Sequence, residues 1–272
     1  MSSHERAGRL TVPKARAQKG QKPLVCLTAY TTPMARVLDR HVDILLVGDS
    51  VGMVLYGMDT TLDVDLAMMI RHGQAVMRGS KRSLVIVDLP FGSYEHSPES
   101  AFETASHVMA ATGCGAVKLE GGVALAPTIK FLTERGIPVL AHVGLMPQRI
   151  HALGGFRNQG REESQSTTVK NDAIAVAEAG AFAVVVEAVV EQLAKDVTDI
   201  IPIPTIGIGA SPSCDGQILV SDDAFGLFGT FTPKFVKKFA DLLPQIDRAA
   251  EQYSAEVRSR TFPSADHIFK AT

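Results

Sequence analysis

Eight short apolar runs, separated by segments of helical period, leave this chain very few folds. They are LVCLTA (24–29), ILLVGD (44–49), LVIVDLP (84–90), AVKLE (116–120), PVLAHVG (138–144), FAVVVEA (182–188), PTIGIGA (204–210) and QILVSDD (217–223). Gly, Pro or Asp bounds each run, and Val and Ile dominate them. Unbroken apolar runs of this length read as strands buried on both faces, as in a parallel sheet. Between them, PESAFETASHVMAATG (98–113) has Pro98 near its start and Gly113 just past its end. Its Ala101, Ala105, Val108 and Met109 share one helical face. VKNDAIAVAEAGA (169–181) and PKFVKKFADLLPQI (233–246) read as helices too. Strands alternating with helices predict a (β/α)8 TIM barrel, in a single domain spanning 1–272. A doubly wound open sheet is the alternative, and 217–223 is the weakest run. A helix is expected from near Thr11, with Pro13 in its first turn. DRAAEQYSAEVRSR (247–260) predicts a further C-terminal helix for packing or oligomer contacts.

Charge and cysteine usage narrow the function classes. The 272 residues carry 27 basic and 29 acidic side chains, a net charge of −2, which gives no electrostatic reason to expect nucleic acid or an anionic membrane. Cys26, Cys114 and Cys214 are scattered and form no CxxC pair, so neither a disulfide framework nor a structural zinc site is expected. A reducing cytoplasm fits best. No apolar run is long enough for a membrane helix. The first 22 residues are basic but lack the apolar segment of a secretory signal. Their composition is compatible with a transit peptide; a short tail before the first helix is the preferred reading.

Barrel active sites gather at the C-terminal ends of the strands. The polar residues ending these runs are Asp49, Ser50, Asp88, Lys118, Glu120, His142 and Glu187. Four converging carboxylates repel one another unless a cation or protons offset them. Any one of these acids could cap a helix or pair with Lys or Arg. Together, Asp49, Asp88 and Glu120 are better explained as a set around a hard divalent ion such as Mg2+, which takes oxygen ligands. Mn2+ and Co2+ use similar sites. Lys118 lies two residues before Glu120 and so on the same strand face; it could neutralise an anionic substrate, form a Schiff base, or hold a structural ion pair. Glu187 ends a very apolar run, which suits a general base, or it could bridge across the rim. His142 could donate to a substrate, although a lone His is more often a satisfied core residue. GGFRNQGR (154–161) and IGIGA (206–210) are weak as phosphate motifs. REESQSTTVKN (161–171) reads as a solvated loop, with a lid as the alternative.

Taken in order, LLVGDSVGMVLYGMDTTLDV, VDLPFGSY, AVKLEGG, AHVGLMPQ, GGFRNQGR, VVEAV, IGIGA and DGQILVSDDAFG resemble the ketopantoate hydroxymethyltransferase family. The likeness runs from about Thr11 to His267. It implies a (β/α)8 barrel, Mg2+, and transfer of a one-carbon unit from 5,10-methylenetetrahydrofolate to 3-methyl-2-oxobutanoate, giving 2-dehydropantoate for pantothenate synthesis. It places the metal on Asp49 and Asp88 with Glu120 close by, the keto acid on Asp49, Ser50, Asp88 and Lys118, and the base on Glu187. It also implies a large homo-oligomer, commonly a decamer. Thr31, Met58 and Ser211 stand where the family more often has Asp, His and Gly; none is among the site residues. The competing readings are a carbon–carbon lyase of the phosphoenolpyruvate mutase and isocitrate lyase type, whose KCGH-like loop this chain lacks, and a non-catalytic scaffold, which would not keep all four acids.

Overall fold

Most of the predicted runs become strands because their side chains are apolar in both directions and helices cover the outside; the first and last leave Val25 and Gln217 exposed. A computed structural model describes residues 8–155, 158–229 and 232–269. The strands are β1 (Leu24–Thr28), β2 (Ile44–Val47), β3 (Leu84–Asp88), β4 (Ala116–Glu120), β5 (Val139–Gly144), β6 (Ala183–Glu187), β7 (Thr205–Ile208) and β8 (Gly216–Leu219). All pairs are parallel, in the order β1 to β8, and β8 closes on β1. The helices are α1 (Val12–Arg16), α2 (Thr32–Leu38), α3 (Val51–Tyr56), α4 (Leu66–Gly79), α5 (Pro98–Thr112), α6 (Ala126–Glu134), α7 (Ile150–Leu153), α8 (Glu163–Glu178), α9 (Glu191–Ile200), α10 (Ser221–Ala224) and α11 (Leu243–Arg258).

Period two sorts the strand residues between the interior and the outer layer. Leu24 and Cys26 of β1, Ile44 and Leu46 of β2, Leu84 and Ile86 of β3, Ala183 and Val185 of β6, and Ile218 of β8 belong to one interior cluster. Ala15 of α1 joins it, with Leu10 and Val12 packed against it, so the N-terminal helix closes the lower end of the barrel. Thr11 caps that helix in extended conformation and Pro13 sits in its first turn, as expected. α5 starts with a reciprocal Ser97–Ser100 capping box and ends at Gly113, whose φ of 76° suits the left-handed stop.

Contacts divide the chain into two compact units, 1–220 and 221–272. The first holds the barrel. The second holds α10, α11 and the turn Ala265–His267, the expected C-terminal helical extension.

Three expectations change. The stretch 161–171 is not a loop throughout: from Glu163 it forms the first turns of α8, with Ser166 N–H bonded back to Glu162 C=O. The segment 233–246 is non-helical until Leu243, because Phe239 and Leu242 donate their N–H groups to Ala224 and Phe225 rather than to their own i−4 carbonyls. The run at 217–223 ends as a strand at Leu219, and its Ser221-Asp222-Asp223 opens α10. Of GGFRNQGR, Phe156 and Arg157 lie outside the described residues.

Candidate active site

The interior face changes character at the upper end of the barrel. Continuing the period-two series, Asp88 follows Leu84 and Ile86, and Lys118 and Glu120 follow Ala116. His142 follows Leu140, and Glu187 follows Ala183 and Val185. Asp88 pairs in register with Lys118, and Glu120 with His142. A polar layer therefore sits on an apolar one, built by four neighbouring strands.

Asp49 and Ser50 enter from the turn between β2 and α3. Asp49 donates its backbone N–H to Asp88 Oδ2 at 3.0 Å. Gly48 leaves room for the Ser50 hydroxyl, since a Cβ there would lie 2.8 Å from Ser50 Oγ. Ser50 precedes α3 without capping it; its hydroxyl meets the Tyr30 hydroxyl at 2.8 Å instead.

Lys118 Nζ lies 3.0 Å from Asp88 Oδ2 and 3.8 Å from Glu120 Oε1. The His142 ring lies between two acids, with Nδ1 3.3 Å from Glu120 Oε1 and Nε2 3.3 Å from Glu187 Oε2. These are ion-pair contacts rather than aligned hydrogen bonds, for neither ring nitrogen nor Glu120 Oε1 has a well-directed hydrogen-bond partner. His142 is buried, as a core histidine would be, but the two acids put it in the site.

Burial and crowding set the charge states. Asp49 is pushed up to about 7 by burial, with Asp88 and Glu120 adding to the rise. Asp88 is also raised by burial, although Lys118 opposes the shift. Burial alone would lower Lys118, but Asp88, Glu120 and Asp49 outweigh it and hold the ammonium charged. A firmly protonated lysine is a poor Schiff-base nucleophile, so its role here is electrostatic. Burial also works against His142⁺, yet Glu120 wins and raises the ring to about 9. Glu120 is the one site acid pulled down: burial opposes this, and His142, Lys118 and the Gln148 N–H together overcome it.

Asp49, Asp88, Glu120 and Glu187 face two cations, Lys118 and protonated His142. With every acid ionised, the cluster keeps two uncompensated negative charges. Asp88 Oδ1 and Glu120 Oε1 are buried without a hydrogen-bond partner. Among the described residues no three His, Cys, Asp or Glu side chains form a ready-made metal cage.

Sequence reasoning missed two side chains. Tyr94, from the loop after β3, and Gln148, from the turn Pro147–Arg149 after β5, are both buried against these acids. Both fall inside blocks that carry the resemblance, but nothing in their type or spacing marks them, because their partners come from other strands.

The ketopantoate hydroxymethyltransferase family model matches residues 9–265. The chain belongs to the ketopantoate hydroxymethyltransferase family. It is 62% identical to the 3-methyl-2-oxobutanoate hydroxymethyltransferase of Paramagnetospirillum magneticum, over 99% of this chain and 98% of that one. It is 59% identical to the Brucella canis enzyme of the same name, over 100% of this chain and 98% of that one. Among solved structures, 2,3-dimethylmalate lyase, a PEP mutase/isocitrate lyase superfamily member, aligns with a TM-score of 0.60. That match covers 96% of this chain and 89% of the lyase at 17% identity, a likeness of fold alone. The fold and the enzyme class implied by the sequence both stand: the chain is a hydroxymethyltransferase-family enzyme on a (β/α)8 barrel.

Proposed function

We propose that the polar layer transfers a hydroxymethyl group to C3 of 3-methyl-2-oxobutanoate, giving 2-dehydropantoate for pantothenate synthesis, with 5,10-methylenetetrahydrofolate as donor and Mg2+ as the resident cation. The observation that carries this reading is the crowding of buried carboxylates: Asp49, Asp88 and Glu120 are buried together, and Asp88 Oδ1 and Glu120 Oε1 have no well-directed hydrogen bond. A divalent cation fits that crowding. Mg2+ needs only one or two carboxylates, completing its shell with water and substrate oxygens, so a closed protein cage is not required. Asp49 and Asp88 would hold it, with Glu120 close by. When bound, it supplies Lewis-acid polarisation of the keto group and so acidifies C3.

The chain's own groups do the rest. Ser50 and Lys118 anchor the carboxylate end of the keto acid, with Asp49 and Asp88 lining the same end. Lys118, held charged, offsets the negative charge that builds on the carbonyl oxygen as C3 loses its proton. Glu187 is the most exposed of the four acids, its side chain 16% accessible. His142 meets its Oε2 and leaves Oε1 to accept the C3 proton. Water opens the methylene bridge of the donor, breaking both C–N bonds to leave tetrahydrofolate and formaldehyde; the electron pair at C3 attacks the formaldehyde carbon, and its oxygen takes a proton to become the hydroxymethyl hydroxyl. C3 proton exchange in deuterated water, followed by NMR, tests this assignment. We expect Mg2+-dependent exchange that Glu187→Gln slows by about 10²- to 10⁴-fold. Unchanged exchange in that variant removes Glu187 as the base.

A second copy of this chain is the partner we assign to α11. That helix has no buried residue, yet Leu243, Ile246, Tyr253 and Val257 recur along one stripe, with Tyr253 60% exposed. A solvated helix of this kind gains its stability by burying such a stripe. On the barrel, no helix links β7 to β8, and Val25 of neighbouring β1 is left 46% exposed. A homo-oligomer, a decamer by family resemblance, accounts for the uncovered α11 stripe. Sedimentation velocity should show a smaller species for Ile246→Glu with Tyr253→Glu. The free, buried cysteines fit a reducing cytoplasm, where we place the enzyme; among the described residues no helix is long and apolar enough to cross a membrane.

A further inference from the structure

Gln148 is buried and makes four hydrogen bonds to three parts of the site. Its backbone N–H donates to Glu120 Oε2 at 3.0 Å. Its side-chain Nε2 donates to Asp49 Oδ2 at 2.9 Å and to Leu89 C=O at 3.0 Å. Its Oε1 accepts from the Tyr94 hydroxyl. That hydroxyl in turn accepts the Glu120 N–H at 3.1 Å. One residue after β5, through its backbone and its side chain, thus braces the ends of β2, β3 and β4.

The amide has only one workable orientation. Leu89 C=O and the Asp49 carboxylate are acceptors and need Nε2, while the Tyr94 hydroxyl supplies the donor for Oε1. A flipped amide would aim Oε1 at two acceptors. Tyr94 therefore fixes Gln148, and Gln148 fixes Asp49. The bonds are also selective between oxygens: the side chain takes Oδ2 of Asp49 and not Oδ1, and the backbone N–H takes Oε2 of Glu120. Glu120 Oε1 meets the charged groups of His142 and Lys118 instead.

We propose that Gln148, oriented by Tyr94, is the positioning residue that decides which oxygen of Asp49 is presented to the cation. This rests on the metal reading above. Outer partners that hold ligand carboxylates in one orientation typically govern metal affinity by 10- to 100-fold. A buried side chain with only a packing role would leave affinity unchanged once the protein is folded.

The test uses Mn2+ as an oxygen-seeking spectroscopic probe. Free Mn2+ is counted by electron paramagnetic resonance during titration of the full chain, with folding checked by circular dichroism. Gln148→Met keeps the volume and removes both amide functions; it should weaken Mn2+ binding by about 10- to 100-fold. Tyr94→Phe removes only the hydroxyl and should weaken it by a smaller factor. Added to Gln148→Met, it should have less than its full single effect, because part of its influence runs through the amide. If Gln148→Met fails to fold, Tyr94→Phe and Gln148→Asn carry the same test. Folded variants within twofold of the unaltered chain overturn the proposal, as does full additivity of the two substitutions. Asp49→Asn separates the two levels. Loss of Mn2+ binding in that variant, with Gln148 and Tyr94 variants unaffected, rejects the positioning role and keeps the metal site. No Mn2+ binding by the unaltered chain, or binding indifferent to Asp49→Asn, rejects the metal reading and the positioning role with it.

Discussion

The two ends of the barrel treat buried aspartates in opposite ways. At the lower end, Asp39 follows α2 and accepts hydrogen bonds from the Ser80 hydroxyl and from the N–H groups of Lys81, Arg82 and Ser83. Although burial opposes it, these donors hold its carboxyl down at about 2. Asp215, before β8, accepts from Thr205 N–H and hydroxyl, Gly20 N–H and Lys19, and is lowered likewise against the pull of burial. At the upper end, Asp49 and Asp88 are as buried but short of donors, and both are raised. Satisfied acids clip loops to the barrel; under-satisfied acids keep capacity for a ligand. Electrostatic cost left standing at one end is the physical mark of a working site.

The largest contrast should come from removing one acid at each end. Asp88→Ala should lower C3 exchange by about 10³-fold or more, since it deletes a proposed ligand and strands the Lys118 charge. Asp39→Ala should leave exchange per folded molecule within about twofold. It should cost about 3 kcal/mol of stability, because several donors lose their acceptor. Urea unfolding with an unchanged m-value measures that cost. An inactive but folded Asp39→Ala would break the division between the ends.

A smaller effect follows from pH. Asp39 has a folded-state value below its unfolded one, so its stabilisation is complete above about pH 4 and disappears as pH falls through about 2, a loss of about 2 kcal/mol. Asp49 is raised to about 7. In the metal-free protein the folded state holds that proton while the unfolded chain has released it. Stability should therefore fall as pH rises from about 4 to 7. Denaturation midpoints in EDTA should show these opposite slopes, and saturating Mg2+ should flatten the upper one by favouring ionised Asp49. A midpoint independent of pH between 4 and 7 in EDTA would contradict the strain assigned to the upper layer.

The smallest effect expected is a gain. Asp49→Asn removes a crowded charge and keeps the shape, so the metal-free protein should gain about 1 kcal/mol near neutral pH. Calorimetry in EDTA measures it. The same change at Asp215 should destabilise, because Asn offers only one acceptor oxygen to four donors.

Much of this architecture can be read along the chain, because parallel strands leave a local signature. Most β-runs are apolar on both faces, and stepping back by two from Asp88, Lys118, His142 and Glu187 reaches interior apolar residues. The likeness to the family spans blocks long enough to be read without coordinates. Local pattern fails where backbone donors are claimed from a distance. The segment 233–242 has helical composition but gives N–H groups to residues near 225, and the polar start of α8 looks like a loop until its i−4 bonds form.

The sequence by itself determined the strand count and parallel order, the N-terminal helix, the family, and the set of polar residues at the strand ends. Only the tertiary structure decided which acids are satisfied. Asp39, Asp49, Asp88 and Asp215 are chemically identical in the chain, and their partners lie from 10 to almost 200 positions away. It also decided that Gln148 and Tyr94 join Asp49 to Glu120. Hydrogen-bond supply depends on which chain segments closure of the barrel brings together, and no local period records that.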